Sequence, residues 1–150
     1  IHFKDYYYKY LKFTDQLLPV NFSQVSRNKI YFGGGKEGLS PEDEELLDRI
    51  IYYMGQDPRV FALYIDGHSD NRGRRYDNRQ LSKRRAESVE RYLIKKGINP
   101  DMITLRFHGQ RYPIASNNTS KGRATNRRVT IRLEMREDME IPEELLFVPD

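Results

Sequence analysis

One segment near the middle of the chain constrains the fold more than any other. Residues 60–65 (VFALYI) are an apolar run rich in branched and aromatic side chains, which is typical of a buried strand. Asp66 and Gly67 break this run, and a polar loop follows them. The pattern over residues 77–96 predicts a helix, and Gly97 stands where such a helix closes. The sequence therefore predicts a buried strand, a polar loop and a helix in direct succession.

The flanking segments continue this alternation of strands and helices. Ser40 and Pro41 have the residue types of a helix start, an apolar stripe follows them, and Gly55 ends the predicted helix. A long loop is predicted over residues 108–122. Short apolar runs predict further strands at residues 29–32, 102–107 and 129–133. The order β-α-β-α-β-loop-β indicates an α+β fold, an α/β sandwich whose mixed sheet carries its helices on one face.

Composition limits the classes of protein to be considered. The 150 residues are enough for one domain with an ordinary hydrophobic core. The absence of cysteine excludes disulfides, zinc–thiolate sites and thiol catalysis. No apolar run approaches the roughly 20 residues of a membrane-spanning helix. The 26 basic and 22 acidic residues make a mixed surface rather than a polycation.

Polar side chains of the loop and of the following helix are predicted to converge. Asp70 follows the end of the strand, and Asn78 and Arg85 lie seven residues apart, close to two helical turns, on one face of the helix. We expect Asp70 and Arg85 to lie near solvent. A zwitterionic head group would suit this arrangement, because its ammonium meets Asp70 and its carboxylate meets Arg85. The alternative is that Asp70 only caps the helix or shapes the loop.

Three motifs carry a family resemblance: GHSDNRG, YDNRQLSKRRAESV and HGQRYPIASNNTSKGRATNRRVTI. Together they resemble the OmpA-like peptidoglycan-binding domain, a family that anchors Gram-negative envelope proteins to the cell wall. The resemblance covers most of the chain and implies a division into three parts. These are an N-terminal arm or linker from an upstream domain (residues 1–27), the OmpA-like domain (residues 28–134) and an acidic C-terminal tail (residues 135–150).

The resemblance also implies a ligand and a set of site residues. The family's ligand is the diaminopimelate of the peptide stem, whose side chain ends in an amino-acid head. The ligand-binding aspartate of the family falls on Asp70, its ligand-binding arginine on Arg85 and its helix-start asparagine on Asn78. Charge-assisted hydrogen bonds of roughly 1.5–3 kcal/mol each would hold the head group. The implied set is completed by Ser69, which replaces a threonine, Leu81 in the LSKRRA motif, and Arg128 in the NRR motif.

Neighbouring positions carry further expectations. Glycines at residues 33–35 occupy a loop where the family often has an acid or an amide near the ligand. They either offer backbone contacts in its place or leave a floppy, weaker site. Arg127 is predicted to form a structural salt bridge at the edge of the sheet, and Asn126 to hydrogen-bond the backbone of the loop.

The resemblance further implies a place in the cell. We expect a periplasmic protein, associated with the cell wall and outer membrane of a Gram-negative bacterium. Because the chain begins at Ile1, we expect a fragment whose upstream part carries the export signal and any membrane attachment. Within the family, the runs LLPVNFSQV and IDGHSDN are similar to a sodium-driven flagellar motor protein, which implies flagellar basal-body or stator partners. The alternatives are a porin's wall-anchoring tail, a wall-associated lipoprotein and a stator protein.

Two other classes of function match single features of the sequence. His68, Asp70 and His108 have the spacing of a facial-triad iron site. Such sites require ligands that face into a β-barrel, whereas this chain alternates strands and helices. The arginines between residues 72 and 85 are also compatible with nucleic-acid binding. A solvent-exposed helix face explains this cluster more simply. No nucleophile motif and no phosphate-binding loop are found in the sequence. We therefore predict a non-catalytic binding module with no cofactor, no metal and no nucleic-acid partner.

Overall fold

The computed structural model describes Val25 and residues 27–136. Along residues 27–136 the elements are β1 (Arg27–Tyr31), α1 (Pro41–Gln56), β2 (Val60–Gly67), α2 (Arg75–Lys95), a 3₁₀ turn (Pro100–Met102), β3 (Ile103–Phe107), α3 (Ser120–Asn126) and β4 (Arg128–Met135). The predicted N-terminal arm and acidic tail lie outside the described residues, except where these ranges overlap them at residues 25, 27, 135 and 136.

The strands form one mixed sheet in the order β1-β4-β2-β3, which confirms the predicted fold class. β4 is antiparallel to β1 and to β2, whereas β2 and β3 are parallel. The register pairs Tyr31 with Arg128, and it pairs Gly67 with both Phe107 and Val129. The carboxyl ends of β1, β2 and β3 therefore meet the amino end of β4 at one end of the sheet. The loops that leave these strands lie side by side there.

Helices α1 and α2 cover one face of this sheet, as predicted. Alternate side chains of β2 and β4 join the buried faces of both helices in one hydrophobic cluster, which includes Leu47, Ile50, Leu63, Ile65, Ala86, Val89, Val129 and Ile131. Helix α1 begins at the predicted cap, where the Ser40 Oγ accepts from the Asp43 N–H at 3.1 Å and the Asp43 carboxylate accepts from the Ser40 N–H at 3.0 Å. This capping box satisfies two backbone donors at the helix start.

Strand β2 runs further than the sequence predicted. Asp66 and Gly67 continue the strand instead of breaking it, and both pair in register with β3 and β4. Gly67 is required here because α2 crosses the strand closely: a Cβ at this position would lie 2.0 Å from the Ser82 carbonyl oxygen. Gly67, which was predicted to end the strand, is therefore the point where β2 contacts α2.

The helices also differ from the prediction: α2 spans Arg75–Lys95 rather than residues 77–96, the end of α1 is shifted, and α3 was not predicted. Helix α1 passes Gly55 and ends at Gln56, and the N–H of the C-cap residue Asp57 donates to the Tyr53 carbonyl at 3.0 Å. Helix α3 lies at the end of the predicted long loop, where the Thr119 Oγ1 caps it by accepting from the Gly122 N–H at 3.0 Å. Its sequence SKGRATN has no apolar stripe that would have revealed it. No helix within residues 27–136 has the length and hydropathy of a bilayer span.

Candidate ligand-binding site

Residues 68–70 leave β2 at the end of the sheet where the loops meet. The His68 N–H donates to the Arg128 carbonyl at 2.8 Å, and the Ser69 N–H donates to the Gly109 carbonyl at 2.9 Å. The Ser69 hydroxyl donates to the Asp70 carbonyl at 2.8 Å. These bonds hold the segment between the start of β4 and the loop after β3, so that Asp70 stands at the end of the strand.

The Asp70 carboxylate is buried rather than near solvent as expected, with 8% of the residue exposed, and two neighbouring groups donate to it. Its Oδ1 accepts from the Arg72 N–H at 3.0 Å, and its Oδ2 accepts from the Arg127 Nη1 at 3.1 Å. Arg127 also donates from Nε to the Phe32 carbonyl at 2.8 Å. Arg127 thus forms a salt bridge, as predicted, but its partner is the candidate ligand-binding acid. Arg127 was predicted to lie outside the site, but it contacts Asp70 directly.

Arg85 lies behind this pair and is completely buried. Its guanidinium donates to three backbone carbonyls: Nε to Lys36 at 2.8 Å, Nη2 to Gly33 at 3.0 Å and Nη1 to His68 at 3.3 Å. Burial lowers the pKa of Arg85 to about 10, while the negative charge of Asp70 acts in the opposite direction. The expectation that Arg85 lies near solvent is wrong, because its face of α2 packs against the sheet and the loop of residues 33–36 closes over it.

The glycine-rich loop after β1 is anchored to this buried arginine. Carbonyl groups of Gly33 and Lys36 accept from Arg85, and the Lys36 N–H donates back to Gly33 at 3.0 Å. Gly35 has a φ of 68°, in the left-handed region that favours glycine. The loop therefore has a defined turn whose backbone contacts go to Arg85.

Asn78 lies one turn into α2 and is buried. Its Nδ2 donates to the Gln110 Oε1 at 2.9 Å, which ties the helix to the loop after β3. Leu81, also on α2, is half-buried. We define the Asp70 site as Asp70, Asn78, Arg85 and Arg127. It contains two guanidinium groups, one carboxylate and one amide, a set of groups that suits a zwitterion.

Arg128 and Asn126 shape the loop beside the site. The Arg128 guanidinium is buried and donates to the carbonyls of Tyr112 and Asn126, at 3.0 and 3.2 Å. Burial lowers its pKa. The Asn126 Oδ1 accepts from the N–H groups of Ile114 and Ala115, at 2.8 and 3.0 Å, in the loop-binding role predicted for it. Both residues fix the loop between β3 and α3.

The two histidines near the site have structural partners. The rings of His68 and His108 stack with their centroids 5.0 Å apart, and the His108 Nε2 lies 2.7 Å from the Asp66 Oδ1. Burial lowers the pKa of His68 to about 3, so its ring is neutral at pH 7. Within the part of the chain that the structure describes, no group of three or more histidine and acidic side chains is placed to hold a metal ion. The Asp70 carboxylate faces Arg127 instead.

Comparisons with known proteins place the chain in a family. The OmpA family profile matches residues 31–127. The chain is 42% identical over 118 residues to outer membrane protein A of Bordetella avium, covering 77% of this chain and 59% of that protein. It is 39% identical over 107 residues to the peptidoglycan-binding protein ArfA of Mycobacterium tuberculosis, covering 71% and 32%. It is 29% identical over 128 residues to the sodium-type flagellar protein MotY of Vibrio parahaemolyticus, covering 83% and 44%.

Solved structures share the fold. The C-terminal domain of Helicobacter pylori MotB superposes with a TM-score of 0.68 at 22% identity, over 74% of this chain and 87% of that one. The cell wall anchor of the type VI secretion system (T6SS) from Pseudomonas aeruginosa superposes with a TM-score of 0.62 at 26% identity, over 85% and 96%. By contrast, the chain spans from about a third to three fifths of the lengths of the three sequence relatives.

Proposed function

The chain belongs to the OmpA family, and from this premise we propose that it binds peptidoglycan and so anchors an envelope assembly to the cell wall. One relative is named a peptidoglycan-binding protein, and one structural neighbour is a cell wall anchor. The observation that carries the proposal is the ion pair between Asp70 and Arg127, backed by the buried guanidinium of Arg85. Such a group of fixed charges suits a ligand that carries both signs.

We propose that the ligand group is the amino-acid head of diaminopimelate in the peptide stem. A carboxylate has more lone pairs than the two hydrogen bonds at Asp70 use, so a ligand ammonium can join the Arg72 N–H and Arg127. The ligand carboxylate then faces the positive charges of Arg85 and Arg127. Charge-assisted bonds at this partly desolvated position are stronger than their counterparts in water.

The remaining predicted site residues take supporting roles in this proposal. Asn78 offers its buried amide, which is positioned by Gln110. Ser69 and Arg128 hold the loops on either side of Asp70. Leu81, half-buried on α2, offers an apolar contact for the methylene groups of the ligand. The site thus consists of charged contacts at its centre and fixed loops around them.

We propose a periplasmic location, with the protein at the cell wall and outer membrane of a Gram-negative bacterium. Similarity to MotY supports a flagellar motor assembly with basal-body or stator partners. A porin's wall-anchoring tail, a peptidoglycan-associated lipoprotein and a MotB-like stator are the alternatives. In each case the described domain acts as a binding module rather than as an enzyme, and it needs no cofactor.

Co-sedimentation with purified sacculi tests the binding proposal. The chain is expected in the pellet with sacculi that contain diaminopimelate, and less so with sacculi whose stems carry lysine at that position. Repeated sites on the polymer increase retention through effective concentration. Asp77→Asn is the matched control for Asp70→Asn, because Asp77 is an exposed acid in the first turn of α2, close in sequence to Asp70 and paired with Arg74. Recovery of the wild-type chain in the supernatant at low salt would contradict the proposal.

A further inference from the structure

A second polar groove adjoins the Asp70 site. It has a volume of about 330 Å³ and lies between the first turns of α2 and the end of β3. We call it the arginine groove and define it by its lining residues, Arg75, Arg79, Phe107, His108, Gln110 and Arg111. Of these residues, the Asp70 site uses only Gln110, as the partner of Asn78.

The three arginines of this groove form no ion pair within the described residues. Neighbouring acids are already engaged: Asp77 pairs with Arg74 at 2.8 Å, and Asp66 accepts from Arg106 and His108, each at 2.7 Å. The groove therefore carries an uncompensated positive charge. Such a charge attracts an anion from solution.

The arginine groove also has a defined shape. The guanidinium carbon of Arg79 lies 5.1 Å from the centroid of the Phe107 ring, so the side chain is stacked on an aromatic floor. Gly109, at φ 59°, turns the neighbouring loop tightly against α2, where a Cβ would lie 3.1 Å from the Arg79 backbone. The Gly109 N–H donates to the Ser82 Oγ at 3.0 Å, which fixes that turn. Floor and wall are thus held in place before any ligand arrives.

Two hydrogen bonds connect the arginine groove to the Asp70 site. Gln110, on the groove wall, accepts from Asn78 at 2.9 Å, and the Gly109 carbonyl accepts from the Ser69 N–H at 2.9 Å. Residues 109–110 therefore separate two adjacent recesses. A diaminopimelate held at Asp70 by its terminal head group carries the α-carboxylate of a γ-linked glutamyl residue about ten bonds away, roughly 12 Å when extended. The next side group of such a ligand falls within reach of the groove.

We propose that the arginine groove binds a second carboxylate of the same peptide stem, that of the acidic residue next to diaminopimelate. This inference rests on the proposed function. A guanidinium fork matches a carboxylate with two parallel hydrogen bonds, and the three unpaired arginines supply this fork. The arginine groove thus distinguishes a charged stem from a neutral one, while the Asp70 site binds the zwitterionic head group of diaminopimelate. Stems whose acidic residue is amidated are bound more weakly.

Titration calorimetry with two matched tripeptides tests this proposal. The probes are L-Ala-γ-D-Glu-meso-diaminopimelate and the same tripeptide with the glutamyl α-carboxylate converted to an amide. We expect the wild-type chain to bind the free acid about tenfold more tightly, the effect of one charge-assisted bond. Arg79→Gln and Arg111→Gln are each expected to bring this ratio close to one and to leave the affinity for the amide unchanged.

Arg91→Gln is the matched control, because Arg91 is exposed on the same helix and outside the groove; it is expected to keep the tenfold ratio. Equal binding of both tripeptides by the wild-type chain would overturn the groove proposal and leave the proposed function standing. An unchanged ratio in both groove variants would also overturn it. Binding of neither tripeptide would overturn the groove proposal together with stem recognition. Duplex DNA bound at physiological salt, and released in Arg79→Gln, would assign the groove to phosphate instead.

Discussion

Asp70 forms its ion pair with Arg127, which lies 57 residues further along the chain, at 3.1 Å between Oδ2 and Nη1. Arg85, the arginine nearer in sequence, donates instead to three backbone carbonyls. Arg127 is the more accessible of the two guanidinium groups, with 18% of its side chain exposed. We therefore expect a ligand that enters beside Asp70 to contact Arg127 first, and Arg85 to act on it mainly through its charge.

Replacement of Asp70 separates a ligand-binding role from a structural one. Asp70→Ala removes the carboxylate that we propose holds the ligand ammonium, and we expect it to weaken wall binding by about 2–4 kcal/mol. Folding stability should fall by only about 0.5–2 kcal/mol, since the Arg72 N–H and the partly exposed Arg127 lose one partner each. Sacculus pull-downs and thermal melts on the same protein preparation give both numbers. A variant that melts early yet binds normally when folded would show that Asp70 only shapes the loop.

Arg85 is expected to contribute to both stability and binding. Arg85→Ala leaves the carbonyls of Gly33, Lys36 and His68 without this donor, and we expect the free energy of unfolding to fall by about 3–5 kcal/mol. Arg85→Lys keeps the charge but not the fork, so it should recover only part of that loss. Urea unfolding measures the stability of both variants. An Arg85→Ala variant as stable as the wild type would contradict the anchoring of the loop by this side chain.

Binding by the lysine variant then tests the ligand contact under conditions where the protein is folded. We expect sacculus retention of Arg85→Lys to fall, because the loop that frames Asp70 is held less firmly and the buried positive charge is moved. Arg84→Lys is a suitable control, since Arg84 is the exposed neighbour and pairs with Glu37 at the surface. Equal sacculus retention of Arg85→Lys and Arg84→Lys would show that Arg85 does not contribute to ligand binding.

Local patterns predicted the parts of the fold that depend on near neighbours. The Ser40 cap and the order of the strands and helices follow from residue types within a few positions of one another. The position of Asp70 at the end of a strand follows in the same way, from the apolar run before it. The pairing of Asp70 with Arg127 does not, because it depends on the register that sets Tyr31 opposite Arg128 and Gly67 opposite Val129.

The burial of charged groups was the second feature that could not be predicted from the sequence. The seven-residue spacing of Asn78 and Arg85 predicted a shared face, and both residues are indeed buried on α2. Nothing in that spacing indicated that backbone carbonyls from two loops would surround the guanidinium. Gly67 is a comparable case, since its role as a contact point depends on where α2 crosses β2. Such contacts between distant segments need the assembled structure.

Burial of His68 predicts a loss of stability in mild acid. Its pKa is lowered to about 3 in the folded protein, from an ordinary value of about 6.5, so the unfolded chain binds the extra proton first as the pH falls. Stability is therefore unaffected above about pH 6.5 and falls between that pH and about 3, by up to about 1.4 kcal/mol per pH unit. His68→Phe keeps a ring against His108 without a titrating group, and its urea midpoint should fall less steeply between pH 6.5 and 4.

Asp57 and Asp66, whose carboxyl pKa values are lowered, contribute little to the loss between pH 6.5 and 4. The pKa of Asp66 is lowered by its hydrogen bonds to Arg106 and His108, which outweigh the effect of burial, and that of Asp57 is lowered in the same way by Arg59 and Tyr53. Their stabilisation is present above the ordinary carboxyl pKa of about 3.9 and is lost only as the pH falls through the lower folded values. Equal slopes for wild type and His68→Phe between pH 6.5 and 4 would refute the assignment to His68.

The close crossing of β2 and α2 gives the sharpest test of the fold around the site. A Cβ at Gly67 would lie 2.0 Å from the Ser82 carbonyl oxygen and 2.9 Å from its carbon, both backbone atoms of α2. Gly67→Ala must therefore push the helix off the strand, and we expect it to cost about 3 kcal/mol or more of stability. Asn78 and Arg85 move with the helix, so sacculus binding should fall as well. Gly34→Ala is the matched control: no atom lies within 4 Å of its added Cβ, and it should be neutral or stabilise by about 0.4–1 kcal/mol. Equal urea midpoints for the two alanine variants would show that the helix does not press on the strand at this point.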